Sequence, residues 1–184
     1  MVVATDIDYA GSGLTLQQAM VAHAKRHPDK RSRPETILWG KRRVRTSDFI
    51  HVPSEGVVRL ELLTSSQAIR QGVDLKVDGW IELAGGEHVP LLRTWQDEQF
   101  EDVVEYPLFA KDGLLWTWNV YEMKYPGGQK VEEKWTENAG FWVDVIGENE
   151  RVYHCSHGMA SPPDFDSFVY KLTIRPTRGE PRGH

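Results

Sequence analysis

Between Leu114 and His157 the chain concentrates the side chains best suited to acid–base and hydrogen-bonding chemistry. Successive strand residues point to opposite faces. Leu115, Thr117, Asn119, Tyr121, Met123 and Tyr125 therefore share one face of the run Leu114–Tyr125, and Leu114, Trp116, Trp118, Val120 and Glu122 share the other. The Thr117 face mixes apolar bodies with hydroxyl and amide groups, which is the composition of a small-molecule pocket. The Trp116/Trp118 face reads as packing. Tyr121 and Asn119 are suited to polarising a carbonyl, and Glu133 or His154 to moving a proton, with burial tuning the pKa. Thr117, Met123, Trp135 and Tyr170 complete the expected site as substrate-binding walls, with Trp135 and Glu133 on one face of the neighbouring strand. Aromatic walls hold a flexible apolar chain in a reactive fold and so lower the entropic barrier. Catalysis of that kind needs no cofactor.

Other constellations carry less. His154 and His157 lie three apart, a spacing that sends them to opposite faces of a strand, and the chain has no His-x-His, so no metal site is expected. Cys155 shares a face with His157, which makes that histidine the better partner for a thiolate, but a free cysteine is more often buried and inert. The pairs Gly11/Gly13, Gly85/Gly86 and Gly127/Gly128 read as turns, not phosphate loops, and G-x-S-x-G, H-E-x-x-H and C-x-x-C are absent.

The elements that position these groups follow from periodicity. Apolar spacing over Leu16, Ala19, Met20, His23 and Ala24 predicts a helix over 14–27, capped by Ser12 or Thr15 and ended by Pro28. From Thr36 onward the signals are of strands at intervals of roughly 8–12 residues. Turns are expected at 53–56, Gly85–Gly86, Asp112–Gly113, Pro126–Gly128, Asn138–Gly140 and 147–150, with Pro90 marking an edge strand and Pro107 a break. The expected fold is all-β: an antiparallel β-barrel of about 8–10 strands, lipocalin-like or with a jelly roll as second choice, preceded by one N-terminal helix. The expected organisation is an arm, helix and linker over 1–34, with the helix a candidate lid, a barrel over 35–176 and a disordered tail over 177–184.

The chain has 184 residues, 40% hydrophobic and 27% charged, as in a globular protein with one core. No apolar run approaches the ~18 residues of a membrane helix, and the N-terminus lacks a basic signal region, so no membrane partner is expected. The single cysteine fits a reducing cytoplasm. Residues 1–50 carry a net charge of +4 and the remainder −9. The basic stretch is short and interrupted by acid groups, so no nucleic-acid partner is expected. The layout resembles the small β-barrel cyclases of bacterial polyketide pathways, including those that promote [4+2] cycloadditions, in architecture and not in any matched motif. That resemblance implies a cofactor-independent cyclase or isomerase acting on a small apolar or polyunsaturated substrate. The alternative is a non-catalytic carbohydrate-binding or lipocalin-like carrier module. Trp116, Trp118 and Trp135 separate these: a flat exposed row favours sugar binding, an enclosed cup the others. Exposed aromatic strands also make a homodimer an expectation.

Overall fold

The structure, a computed structural model, describes residues 6–98 and 103–177; the tail from 178 lies outside them. One helix, α1 (Leu16–Arg26), precedes eleven strands: β1 (Ile37–Trp39), β2 (Arg42–Arg45), β3 (Asp48–His51), β4 (Glu55–Ser65), β5 (Gln71–Glu82), β6 (His88–Trp95), β7 (Val103–Lys124), β8 (Lys130–Glu133), β9 (Gly140–Gly147), β10 (Glu150–Ser156) and β11 (Phe168–Pro176). All strand pairings are antiparallel, and they form a single sheet in the order β1-β2-β9-β10-β11-β4-β7-β5-β6. β3 and β8 lie beside β7 off that path. The end strands β1 and β6 do not pair, so the sheet curls without closing. Pro90 does lie on an end strand.

β7 holds the sheet together. It pairs with β5, β4, β3 and β8 along its 22 residues. The Asp112–Gly113 pair does not reverse the chain as its dipeptide signal predicts, and Pro107 does not break it. Val77 faces Leu115 and Gly79 faces Ala110, so Lys111–Leu114 bulge opposite Asp78 alone. Gly113 takes φ 69°, its carbonyl accepts from the Val52 N–H at 2.9 Å, and the Leu114 N–H donates to Asp112 Oδ1 at 3.1 Å. The bulge inserts an odd number of extra residues, which exchanges the two faces. Before it Tyr106, Leu108 and Ala110 point inward; after it Leu115, Thr117, Asn119 and Tyr121 do. Gly79 allows the crossing. Its φ is 147°, and a Cβ there would meet the Phe109 carbonyl oxygen at 2.0 Å.

The main core lies inside the curl. Val58 and Leu60 of β4, Val73 and Leu75 of β5, Phe141 of β9, Tyr153 and Cys155 of β10, and Phe168, Tyr170 and Leu172 of β11 meet there. Each large apolar side chain so buried contributes about 1.5–3 kcal/mol. A smaller second core lies on the opposite face of β1, β2 and β9, where α1 packs Leu16 and Ala19 against Tyr9, Ile37 and Val44. The helix begins where its sequence places it. Thr15 Oγ1 accepts from the Gln18 N–H and Gln18 Oε1 from the Thr15 N–H, a reciprocal cap. Two further N-terminal amides find partners in the loop before β9: the Leu16 N–H donates to Asn138 Oδ1 and the Gln17 N–H to the Glu137 carbonyl. The helix thus lies on the outside of the sheet, with its apolar face committed to the second core, and not across an open barrel end.

Candidate functional site

Of the side chains expected to form the site, Thr117, Asn119, Tyr121 and Tyr170 are brought together inside the curl, all fully or almost fully buried. The curl folds β7 over β10 and β11, so these groups bond across the interior. Thr117 Oγ1 donates to the Asp74 carbonyl at 3.0 Å and lies 3.2 Å from the Tyr170 hydroxyl. Asn119 Nδ2 donates to the Ser156 carbonyl at 3.0 Å. Tyr121 shares a hydrogen bond of 2.6 Å with Thr136 Oγ1, and burial holds its phenol above the ordinary range, with Glu133 adding to the effect. A Cβ at position 158 would lie 2.0 Å from the Tyr121 oxygen, so Gly158 is what lets the phenol sit there. Glu133 is the cross-strand neighbour of Tyr121. Tyr153 stacks on Tyr170 with centroids 4.8 Å apart, and burial pushes both phenols well up. None of Thr117, Asn119, Tyr121 or Tyr170 lines the grooves of about 740, 410, 280 and 110 Å³ found among the described residues.

The remaining expected residues lie elsewhere. His154 points to the outer face, where its ring stacks on Trp142 at 3.7 Å, while the Arg42 guanidinium lies 3.9 Å from the same indole. Burial depresses its pKa. Met123 is half-buried near the end of β7. Trp135 does not share a face with Glu133, because the strand ends at Glu133 and Trp135 takes φ 58°. That left-handed turn carries its indole round to the outer face of β7. There Phe49, Trp116 and Trp135 stack in sequence at 5.1 and 5.8 Å, Trp118 closes the cluster, and Lys134 lies 4.9 and 4.5 Å from the Trp118 and Trp135 rings. Trp118 is buried and Phe49 exposed. The three tryptophans form neither a flat exposed row nor an enclosed cup.

Cys155 is fully buried in the main core, and burial pushes its thiol well up, so it is no nucleophile. His157 turns onto its own loop, where Nδ1 accepts from the Met159 N–H at 3.1 Å; burial lowers its pKa. Among the described residues no three His, Cys, Asp or Glu come together as a metal-ligand set.

Two features escaped the sequence. One is a charged group at one end of the interior: Asp48, buried at the start of β3, accepts from Arg45 Nη1 at 2.6 Å, Arg151 Nη1 at 3.0 Å and the Tyr153 hydroxyl at 2.8 Å. Asp48 and Tyr153 lie 105 residues apart in sequence, so no local signal marks the group. The other is a groove of about 740 Å³ at the open edge of the curl. Leu92 of edge strand β6 and Val104, Tyr106 and Pro107 of β7 form its apolar floor, Leu83 and Ala84 of the β5–β6 turn one wall, and Glu82, Glu98 and Glu105 its carboxylates. Glu98 is bonded to Arg70, and Glu105 to Arg175 at 2.8 Å. Glu82 has no ion-pair partner among the described residues. The groove exists because, among the described residues, β6 forms a ladder with β5 and none with the first half of β7.

No family model, curated protein or solved structure matches this chain.

Proposed function

We propose that this chain binds a small, largely apolar molecule in the groove between β6 and the first half of β7. The observation that carries this reading is the groove itself: about 740 Å³, within the range of small-molecule sites, with an apolar floor and a few polar groups at its rim. The polar groups of the interior support a binding role over a catalytic one at Asn119 and Tyr121, because they already bond to one another and to the backbone. The chemistry of a carrier needs only the groove. A cofactor-free isomerisation or ring closure is the second reading. It is favoured by Glu82, a carboxylate beside an apolar wall with no ion-pair partner among the described residues. A free, buried thiol at Cys155 fits work in a reducing cytoplasm.

The test uses a neutral apolar dye, N-phenyl-1-naphthylamine, whose emission rises in apolar surroundings. Saturable enhancement is expected with the native chain. It is expected to fall at least ten-fold in affinity in Val104→Trp, which fills the floor, and in Val103→Lys, an exposed position where a charge leaves folding intact. Equal binding by both variants would place the dye elsewhere and overturn the reading. Recovery of a bound polyene unchanged after long incubation separates the carrier from the isomerase.

A further inference from the structure

Outside the sheet, beside α1, a group of basic and hydroxyl side chains surrounds an open pocket. The arm before the helix is pinned to β1: Asp8 bridges to Leu38, the Tyr9 N–H donates to the Leu38 carbonyl at 3.0 Å, and Asp8 Oδ1 accepts from the Gly40 N–H at 2.7 Å. Between this arm, the last turn of α1 and the strands β1 and β2 lies a pocket of about 110 Å³. Tyr9, Arg26, His27, Thr36 and Arg43 line it, and each carries N–H or O–H donors. The hydroxyls of Tyr9 and Thr36, the Arg26 guanidinium and the His27 ring have no hydrogen-bond partner among the described residues, although Tyr9 is only 6% exposed. The His27 ring stands 4.6 Å from that of His23, whose Nε2 lies 3.0 Å from the Pro34 carbonyl. Arg26 and the His27 ring are not needed to finish the helix. Arg33 does that, donating to the Ala24 and His27 carbonyls at 3.4 and 2.8 Å. The one acidic side chain among the lining residues, Asp6, is paired with Arg43. The hydrogen bond from Arg43 holds its carboxyl below the ordinary range, and His23 and His27 add to the effect. The pocket thus already draws one anionic group.

We propose that this pocket binds the phosphate group of a small anion, held by Arg26 and Arg43 with Tyr9, His27 and Thr36 as further donors. Unpartnered donors call for a ligand made of acceptors. A guanidinium meets phosphate through paired, charge-assisted N–H bonds. The volume is that of roughly four waters at ~30 Å³ each, which suits a tetrahedral group of four oxygens and leaves any organic body outside. The two guanidinium groups repel a cation, and an apolar ligand would leave the donors without partners. Asp6 competes for Arg43 and releases it when phosphate binds. This site is separate from the apolar groove and does not depend on what that groove binds.

Inorganic phosphate is the probe, and chloride at matched ionic strength its control. In the nitrogen-15-labelled full chain, phosphate is expected to shift the backbone amides of Tyr9, His27, Thr36 and Arg43 saturably, and chloride to leave them in place. Arg26→Gln and Arg43→Gln are each expected to weaken binding about five-fold, and Asp6→Asn to tighten it about three-fold, because the competing carboxylate is gone. The side chains of Arg43 and Asp6 are 51% and 49% exposed, so these substitutions leave the core untouched. Phenyl phosphate separates two sources of the group: binding as tight as that of phosphate assigns the site to a monoester, and binding of inorganic phosphate alone assigns it to the free ion. Absence of saturable shifts, equal shifts by chloride, undiminished binding in both arginine variants, or no tightening in Asp6→Asn would each overturn the proposal. The titration of the native chain stands however any variant folds.

Discussion

Edge strand β6 is joined to β5 by one ladder and a buried ion pair, and removing that pair has a calculable effect. Asp74 of β5 is fully buried on the outer face, and Arg93 of β6, its direct cross-strand neighbour, donates to both its oxygens at 2.7 Å. The pair holds the Arg93 guanidinium above its ordinary range, the Asp74 hydrogen bond being the main cause. Arg93→Met leaves a buried carboxylate with no cationic partner. Breaking a buried pair from one side costs about 3–5 kcal/mol. The Arg93 side chain is 28% exposed, and its Nη1 also reaches Glu132 at 2.5 Å, so water reaches the site and the lower end, about 3 kcal/mol, applies. With a urea m-value of about 2–3 kcal/mol/M, the unfolding midpoint is expected to fall by roughly 1 M. Replacing both partners with apolar residues, Asp74→Leu with Arg93→Met, removes the stranded charge and is expected to restore stability to within about 1 kcal/mol of native. Urea unfolding followed by tryptophan fluorescence measures both. A midpoint shift under roughly 0.3 M in the single variant, or a double variant no better than the single, would refute the reasoning.

Three further outcomes are expected. Gly79→Ala drives a Cβ into the Phe109 carbonyl at 2.0 Å and denies β5 its φ of 147°, so soluble folded protein is lost, as circular dichroism and gel filtration will show. Cys155 reacts with Ellman's reagent only after unfolding, because the native thiol is buried and its pKa pushed well up. Stability falls between about pH 7 and pH 5, because burial lowers the pKa of His154 and His157 and the unfolded chain then binds more protons than the folded one. His154→Phe, which keeps a ring on Trp142, is expected to flatten that fall in denaturant midpoints taken at pH 7.5 and 5.5.

The helix was legible because its determinants are local: Thr15, Gln18 and the apolar spacing lie within one segment, and the cap forms from those residues. The strand alternation of Thr117, Asn119 and Tyr121 was equally legible, since period two is a property of the strand itself. Which face turned inward was also readable there, but its chemistry was not. The hydroxyls and amides find partners on β10, β11 and the loop after β8, up to 53 residues away, and a sequence read in order cannot pair them. Asp112–Gly113 misled because a dipeptide that permits a positive φ serves a hairpin and a bulge alike. The presence of β5 and β3 on either side of it decides between them. Trp135 misled for the same reason in reverse, since no turn residue announces the left-handed backbone that takes it out of the strand. The apolar groove draws on residues from 82 to 107 in three separate elements, and its existence depends on an edge strand failing to pair, which is a statement about the whole sheet.

The order of the strands also bears on how the chain is made. β4 lies between β7 and β11, so on a ribosome both its edges emerge bare. One waits for Val103 onward and the other for Phe168, more than a hundred residues after β4 begins. The β1–β2 hairpin likewise waits for β9. Until those partners are made the chain displays apolar strands with open ladders, the form most prone to joining a neighbouring copy. Slowing translation between β6 and β7 would lengthen that exposure and lower the yield of folded protein.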